Sequence, residues 1–211
     1  MLAVVPGKRT SENCQKIVRE MKERTGRRTD LLITSDAYAP YATEVEEAYH
    51  TLVPAPRRPG PGRPPNPRRV MPAFLCYATV CKKREKGRVV EVTRALVFGA
   101  ACVRAWLLQR SQVSEPINTA FVERHNGTDR RQNGRKHRKT NGFSKDAGVH
   151  EAATYFIGYS YNFCWAVRTL TIEDESGRKQ PRTPAMAAGL ADHVGTLREW
   201  LTYPAKPCAP I

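Results

Sequence analysis

Acid is what this sequence is short of. Twenty Asp and Glu stand against 35 Lys and Arg, giving a net charge of +15 and a pI near 9.9 in 211 residues. Such an imbalance predicts a polyanionic partner, with nucleic acid first and a membrane surface second. Long apolar runs are missing too. No stretch of about eighteen apolar residues is present to span a bilayer, and the N-terminus lacks the basic–apolar–small pattern of a secretory signal. The expectation is a soluble intracellular protein. Of the six cysteines (Cys14, Cys76, Cys81, Cys102, Cys164, Cys208), none forms a CxxC pair, and the histidines are scattered. That pattern argues against structural zinc and for a reduced set of thiols. Asn126-Gly127-Thr128 matches a glycosylation sequon, which carries no weight without a secretory signal. There is no internal repeat. What is present, 40% hydrophobic residues, is enough for one cored domain with appendages.

In chain order, Met1 to Pro6 reads as a strand closing in a Gly-Lys turn. Ser11 reads as the cap of a helix through SENCQKIVREMKERTG, with Cys14, Ile17, Val18 and Met21 at helical spacing and Gly26 as its stop. Leu31 to Ile33 reads as a buried strand with Asp36 just past its carboxyl end. In open α/β sheets that position holds ligands and catalytic groups; a helix N-cap is the alternative role. Pro40 to Tyr49 reads as the next helix. Pro54 to Arg69 is too rich in proline for helix or central strand and reads as an extended connector. Its Gly62-Arg63-Pro64 core looks like a minor-groove arginine hook, but a linker with solvated arginines is the preferred reading of so short a match. Phe74 to Gly99 reads as a hairpin around Lys86-Gly87. Ala100 to Gln109 reads as a short helix with Trp106. Ala147 to Trp165 reads as an amphipathic helix whose inward stripe is Val149, Ala153, Phe156, Ile157, Ser160 and Cys164. Thr171 to Arg182 reads as a turn or short hairpin. Thr183-Pro184 opens a last helix broken near Gly189, and YPAKPCAPI reads as a disordered tail.

The chemistry concentrates between Ser114 and Asp146. From Phe121 to Thr140 there are seven basic residues (Arg124, Arg130, Arg131, Arg135, Lys136, Arg138, Lys139) and two acids (Glu123, Asp129). A helix starting near Val122 would place Glu123, Asn126 and Arg130 on one face, with His125 one step round. A carboxylate beside an amide and a guanidinium suits a hard metal ion held against a phosphate. The plainer alternative is a solvated basic helix with an incidental Glu.

Three stretches carry a resemblance: TSDAYAPY, VERHNGTDRRQNGRKHRKTNGFSKD and RTPAMAAGLADH. Together they reach over most of the chain from Gly7 to Leu201. The chain resembles the distal part of a ribonuclease-H-like fold as used by DDE transposases and retroviral-type integrases. It is most similar to bacterial insertion-sequence transposases of the insertion-sequence-one type. The resemblance implies an α/β fold, a partial ribonuclease-H-like mixed sheet flanked by helices, lacking the first two strands, with an added hairpin and C-terminal helices. It implies residues 1–53 as a partial catalytic core, 54–70 as a Pro/Arg-rich linker, 71–166 completing the core, and 167–211 as an extension. Asp36 would be the second catalytic carboxylate and Glu123 the third, both ligands of Mg2+ or Mn2+. Asn126, Arg130, Arg131, Arg135, Lys136, Arg138 and Lys139 would face nucleic acid. The implied partners are DNA (transposon ends and target) and a second copy or an upstream fragment, in a bacterial cytoplasm near the nucleoid.

One departure weighs against full activity. The family's first catalytic aspartate lies on the first strand of its sheet, and no Asp precedes Asp30 in this chain. The expectation is a truncated transposase with weakened metal binding, unable to transpose alone. The alternative is a basic nucleic-acid-binding protein without chemistry.

Overall fold

The computed structural model describes residues 2–56, 65–111, 116–137 and 139–204. The hook triplet Gly62-Arg63-Pro64 and the tail beyond residue 204 lie outside them. The chain divides into two compact units, with the boundary between His125 and Asn126. No helix among the described residues is long and apolar enough to cross a membrane.

The N-terminal unit is mixed α/β. Its first element is helix α1 (Ser11–Arg24), capped by Thr10, whose hydroxyl accepts from the Asn13 amide, rather than by Ser11. Ser11 instead donates to Glu44 of α2 (Pro40–Tyr49) at 2.9 Å. The apolar run from Leu2 to Pro6 forms no strand. A strand needs a hydrogen-bonded neighbour, and this run has none. Strand β1 (Leu32–Asp36) pairs in parallel with β4 (Cys76–Glu85), and β4 pairs antiparallel with β5 (Arg88–Phe98), so the sheet order is β1-β4-β5. The expected hairpin is therefore present. It turns on Lys86 and Gly87, both with positive φ (48° and 82°), as a two-residue turn matched to strand twist requires.

Alternation along β1 and β4 sorts the core into two halves. On one side Leu75 and Tyr77 pack with Val18 of α1 and with Val45 and Tyr49 of α2. On the other, Ala78 and Val80 pack with Ile117, against Leu32 and Leu108. Leu108 belongs to α3 (Ala101–Gln109), which β5 reaches through Gly99. At Gly99 φ is +100°, and a Cβ would stand 2.6 Å from Cys76 Sγ and 2.7 Å from the Leu75 carbonyl oxygen. Only glycine fits.

The Pro/Arg stretch is not an open connector throughout. Thr51–Val53 (β2) and Arg68–Val70 (β3) pair antiparallel across it, so its described ends are tied together. The charged Arg69 pairs with Glu47 of α2, which anchors that ribbon to the core.

Helix α4 (Ala120–Gln132) crosses the division between the units. The C-terminal unit then holds α5 (Ala147–Cys164), the two-residue pair β6 (Ile172–Glu173) and β7 (Lys179–Gln180), and the short helices α6 (Pro184–Ala187) and α7 (Leu197–Thr202). The break at Gly189 comes as expected, with φ +70°. The inward stripe of α5 differs from the periodic expectation. Thr154, Gly158 and Ser160 are buried, while Val149 and Phe156 are 47% and 38% exposed. Here α5 meets α6 and α7, and the small side of the helix is the one that admits them. Thr154 can be buried because its hydroxyl donates to the His150 carbonyl at 2.8 Å. Phe156 meets Trp200 edge-on at the margin, 5.0 Å between ring centres.

Candidate nucleic-acid interface

Asp36 ends β1, one residue further into the strand than expected. Its carboxylate pairs with Arg9. The Arg9 guanidinium lies 4.0 Å above the Tyr38 ring, and the Tyr38 hydroxyl donates back to the Arg9 carbonyl at 3.0 Å. By register Asp36 stands opposite Val80 and alternates with Leu32 and Thr34, on the Ile117 face of the sheet, and its charge also reaches Cys14, Tyr41 and Tyr77. Burial is the main reason the Cys14 thiol and the Tyr41 and Tyr77 phenols are pushed up, and the Asp36 carboxylate adds to it. Asp36 therefore clips the segment before α1 to the end of β1.

Glu123 occupies the first turn of α4. The approach to it runs over the Ile117 side of the sheet, away from α1 and α2. Thr34 donates to the Asn118 carbonyl at 3.2 Å and Arg94 to the Ile117 carbonyl at 2.7 Å, which ties residues 117–118 across β1 and β5. The Asn118 side chain then accepts from the Ala120 amide at 3.0 Å and starts the helix. Glu123 accepts from Lys82 Nζ at 2.5 Å and from Thr119 Oγ1 at 2.7 Å. Lys82 is two residues beyond Val80 and shares its face. The Lys82 ammonium, then the Thr119 hydroxyl, hold the Glu123 carboxyl below its ordinary value.

The two acids thus lie in the same unit but have different partners. Asp36 has Arg9; Glu123 has Lys82 and Thr119. Among the described residues no group of three or more His, Cys, Asp or Glu is gathered as a metal site. Register puts Asp36, opposite Val80, on the same face of the sheet as Lys82, the partner of Glu123.

Of the expected nucleic-acid contacts, Asn126, Arg130, Arg131, Arg135 and Lys139 are all exposed. Spacings of three and four keep Glu123, Asn126 and Arg130 along one side of α4, as expected. No ion pair engages Arg130, Arg131, Arg135 or Lys139 among the described residues. Lys136 differs: it pairs with Asp129 at 2.7 Å, both side chains largely covered, and so braces the turn after α4. Arg138 lies outside the described residues. That turn, Gly134–Lys136, is capped by Asn133, whose Oδ1 accepts from the Arg135 amide at 3.2 Å. His150 takes a structural place beside Ser144 at 3.2 Å. Of the two side chains that hold the acids, Arg9 carried no sequence signal of its own, whereas Lys82 opens the cationic run KKREKGR of the β4–β5 hairpin.

Searches with family models, against curated proteins and against solved structures match nothing to this chain.

Proposed function

We infer that this chain is a polynucleotide-gripping part of a DDE transposase of the insertion-sequence-one type, on a ribonuclease-H-like sheet, and that on its own it binds DNA without cutting it. The observation that carries the reading is α4: one carboxylate, Glu123, at its start, then exposed cations without acid partners on and beyond its last turns. Phosphate binding needs unpaired cations, and the electrostatic part of DNA binding scales with their number. Further support comes from the parallel β1–β4 pair with Asp36 at the carboxyl end of β1. Mg2+ or Mn2+, the metal of the family's chemistry, belongs in this reading to a centre with all three acids. The same reading assigns the chain to the bacterial cytoplasm, near the nucleoid, with transposon ends and target DNA as ligands and a second copy or an upstream fragment as partner.

A second reading has its own observation. Asp36 and Glu123 are each held by a separate cation, which suits a basic nucleic-acid-binding protein with no catalytic history. Two measurements separate the readings. Both predict DNA binding that weakens steeply with salt, and both predict that neutralising Arg130, Arg131 and Arg135 together flattens the salt slope by about 2 to 3. Only the transposase reading predicts that supplying a segment bearing the missing acid creates Mg2+-dependent nicking that Glu123→Gln abolishes. Nicking by the chain that survives Glu123→Gln would sink the DDE assignment. Absence of DNA binding would sink both.

A further inference from the structure

Strand β1 covers β4 only as far as Val80. From Cys81 onward β4 has β5 as its sole neighbour, so the end of the hairpin is a two-stranded ribbon. From Cys81 to Glu91 every residue is exposed except Lys82, which is half-buried beneath Glu123. The free stretch of β4, five residues to Glu85, extends roughly 17 Å.

The charges on this ribbon are unevenly satisfied. Lys83 has Glu85 at 3.5 Å, and Lys82 has Glu123. Arg84, Lys86 and Arg88 form no ion pair among the described residues and gather at the turn, with Glu85 across from Arg88 and the Glu123 charge reaching Arg84. The pairing slips between Lys83 and Arg84, leaving Val90 as an extra residue on β5, 52% exposed. Such a bulge raises the local right-handed twist of a ribbon. A bare ribbon of this kind leaves three like charges close together in one unit, a cost that an anion would relieve.

The geometry points to the free end of the β4–β5 hairpin as a second nucleic-acid element: an arm laid in the major groove of duplex DNA, with Arg84, Lys86 and Arg88 on the phosphates that line it. This rests on the polynucleotide reading above and adds to it where and how duplex is held. The major groove of B-DNA, about 12 Å wide, admits a two-stranded ribbon. The major groove of duplex RNA is too narrow and deep for one. Single strands are bound largely by stacking bases on aromatic rings, and from Cys81 to Thr93 there is no aromatic residue.

The test uses the full chain and a random-sequence DNA duplex, followed by fluorescence anisotropy over a salt series. Wild type is compared with Arg84→Gln/Lys86→Gln/Arg88→Gln and with Arg84→Lys/Arg88→Lys. With all three cations on phosphate, the Gln triple has a salt slope shallower by about 2.7 and binds about 500-fold more weakly at about 0.1 M salt. The Lys variant, which keeps the charge, retains the wild-type slope. Dimethyl sulfate footprinting reads the groove: wild type shields guanine N7 and the Gln triple does not. All three positions are exposed, so circular dichroism should show the wild-type fold in each variant. Binding by wild type with an unchanged slope in the Gln triple overturns the arm and leaves the proposed function standing. Equal affinity for duplex RNA or for single-stranded DNA, or unshielded N7, overturns the groove placement. No binding by wild type overturns the proposed function itself.

Discussion

Replacing Glu123 by Gln asks whether that carboxylate is a clamp or a metal ligand. In the structure it accepts from Lys82 at 2.5 Å and Thr119 at 2.7 Å, with half of its side chain exposed and three-quarters of the Lys82 side chain covered. Solvent screening discounts the pair, so its loss costs about 0.5–1 kcal/mol. For a chain of this size that lowers the melting temperature by about 1–4 °C. The pH dependence has a definite sign. The folded carboxyl titrates below its ordinary value, so the contribution is complete above the unfolded value of about 4.3 and disappears as pH falls through the folded one. Glu123→Gln should therefore separate from wild type at neutral pH and converge with it in acid. The assay is thermal melting from neutral to acid pH, repeated with millimolar Mg2+. If wild type gains stability from Mg2+ and Glu123→Gln does not, or if the two proteins melt alike at neutral pH, the clamp argument is refuted.

Gly99→Ala should destabilise the N-terminal unit by about 2–5 kcal/mol, since a Cβ there meets Cys76 and Leu75 at a φ that L-residues avoid; a loss of only a few tenths in a urea melt would contradict it. The Arg28 guanidinium holds the Asp30 carboxyl down to about 2. Its contribution to stability is present above the unfolded value and lost as pH falls toward 2, and NMR titration of Asp30 should show that midpoint move up in Arg28→Gln. His193, beside Asp192 at 2.5 Å and Glu199 at 3.7 Å, is raised above its usual value. Its contribution is present below the unfolded value and fades as pH rises through the folded one. The His193 titration should fall back to the ordinary histidine value in Asp192→Asn.

Local periodicity made much of the fold legible. Helix α1 followed from Cys14, Ile17, Val18 and Met21, and the β4–β5 hairpin from two β-rich runs around Lys86-Gly87. Pairings across distance were not legible. Thr51–Val53 joins Arg68–Val70 over a proline-rich stretch that locally says only that it is extended. Leu2 to Pro6 has the composition of a strand, but composition cannot supply the neighbour a strand needs. The face of α5 was legible in part: Ser160 of the expected stripe is buried and Ala153, Ile157 and Cys164 are half-buried, while Val149 and Phe156 are exposed and the small Thr154 and Gly158 are buried. For the site, helix spacing correctly aligned Glu123, Asn126 and Arg130. The cations that hold the two acids are separated from them by 27 and 41 residues, and no motif announces the pairings.

The ion pairs of Asp36 and Glu123 would not by themselves keep a shared cation away. Arg9–Asp36 is about half exposed on both sides, and such pairs contribute at most about 1 kcal/mol each. A divalent ion with good ligands would displace them. Register puts Asp36, opposite Val80, on the face that also carries Lys82 and, through it, Glu123. Moving the Asp36 carboxylate onto a cation would free Arg9 from its contact and loosen the Tyr38 clip along with it. A third acid would compensate, and the sheet has a place for one. Among the described residues β1 is an edge strand with β4 as its single neighbour. An acid-bearing strand along that edge would satisfy the open backbone groups of β1 and bring its carboxylate next to Asp36.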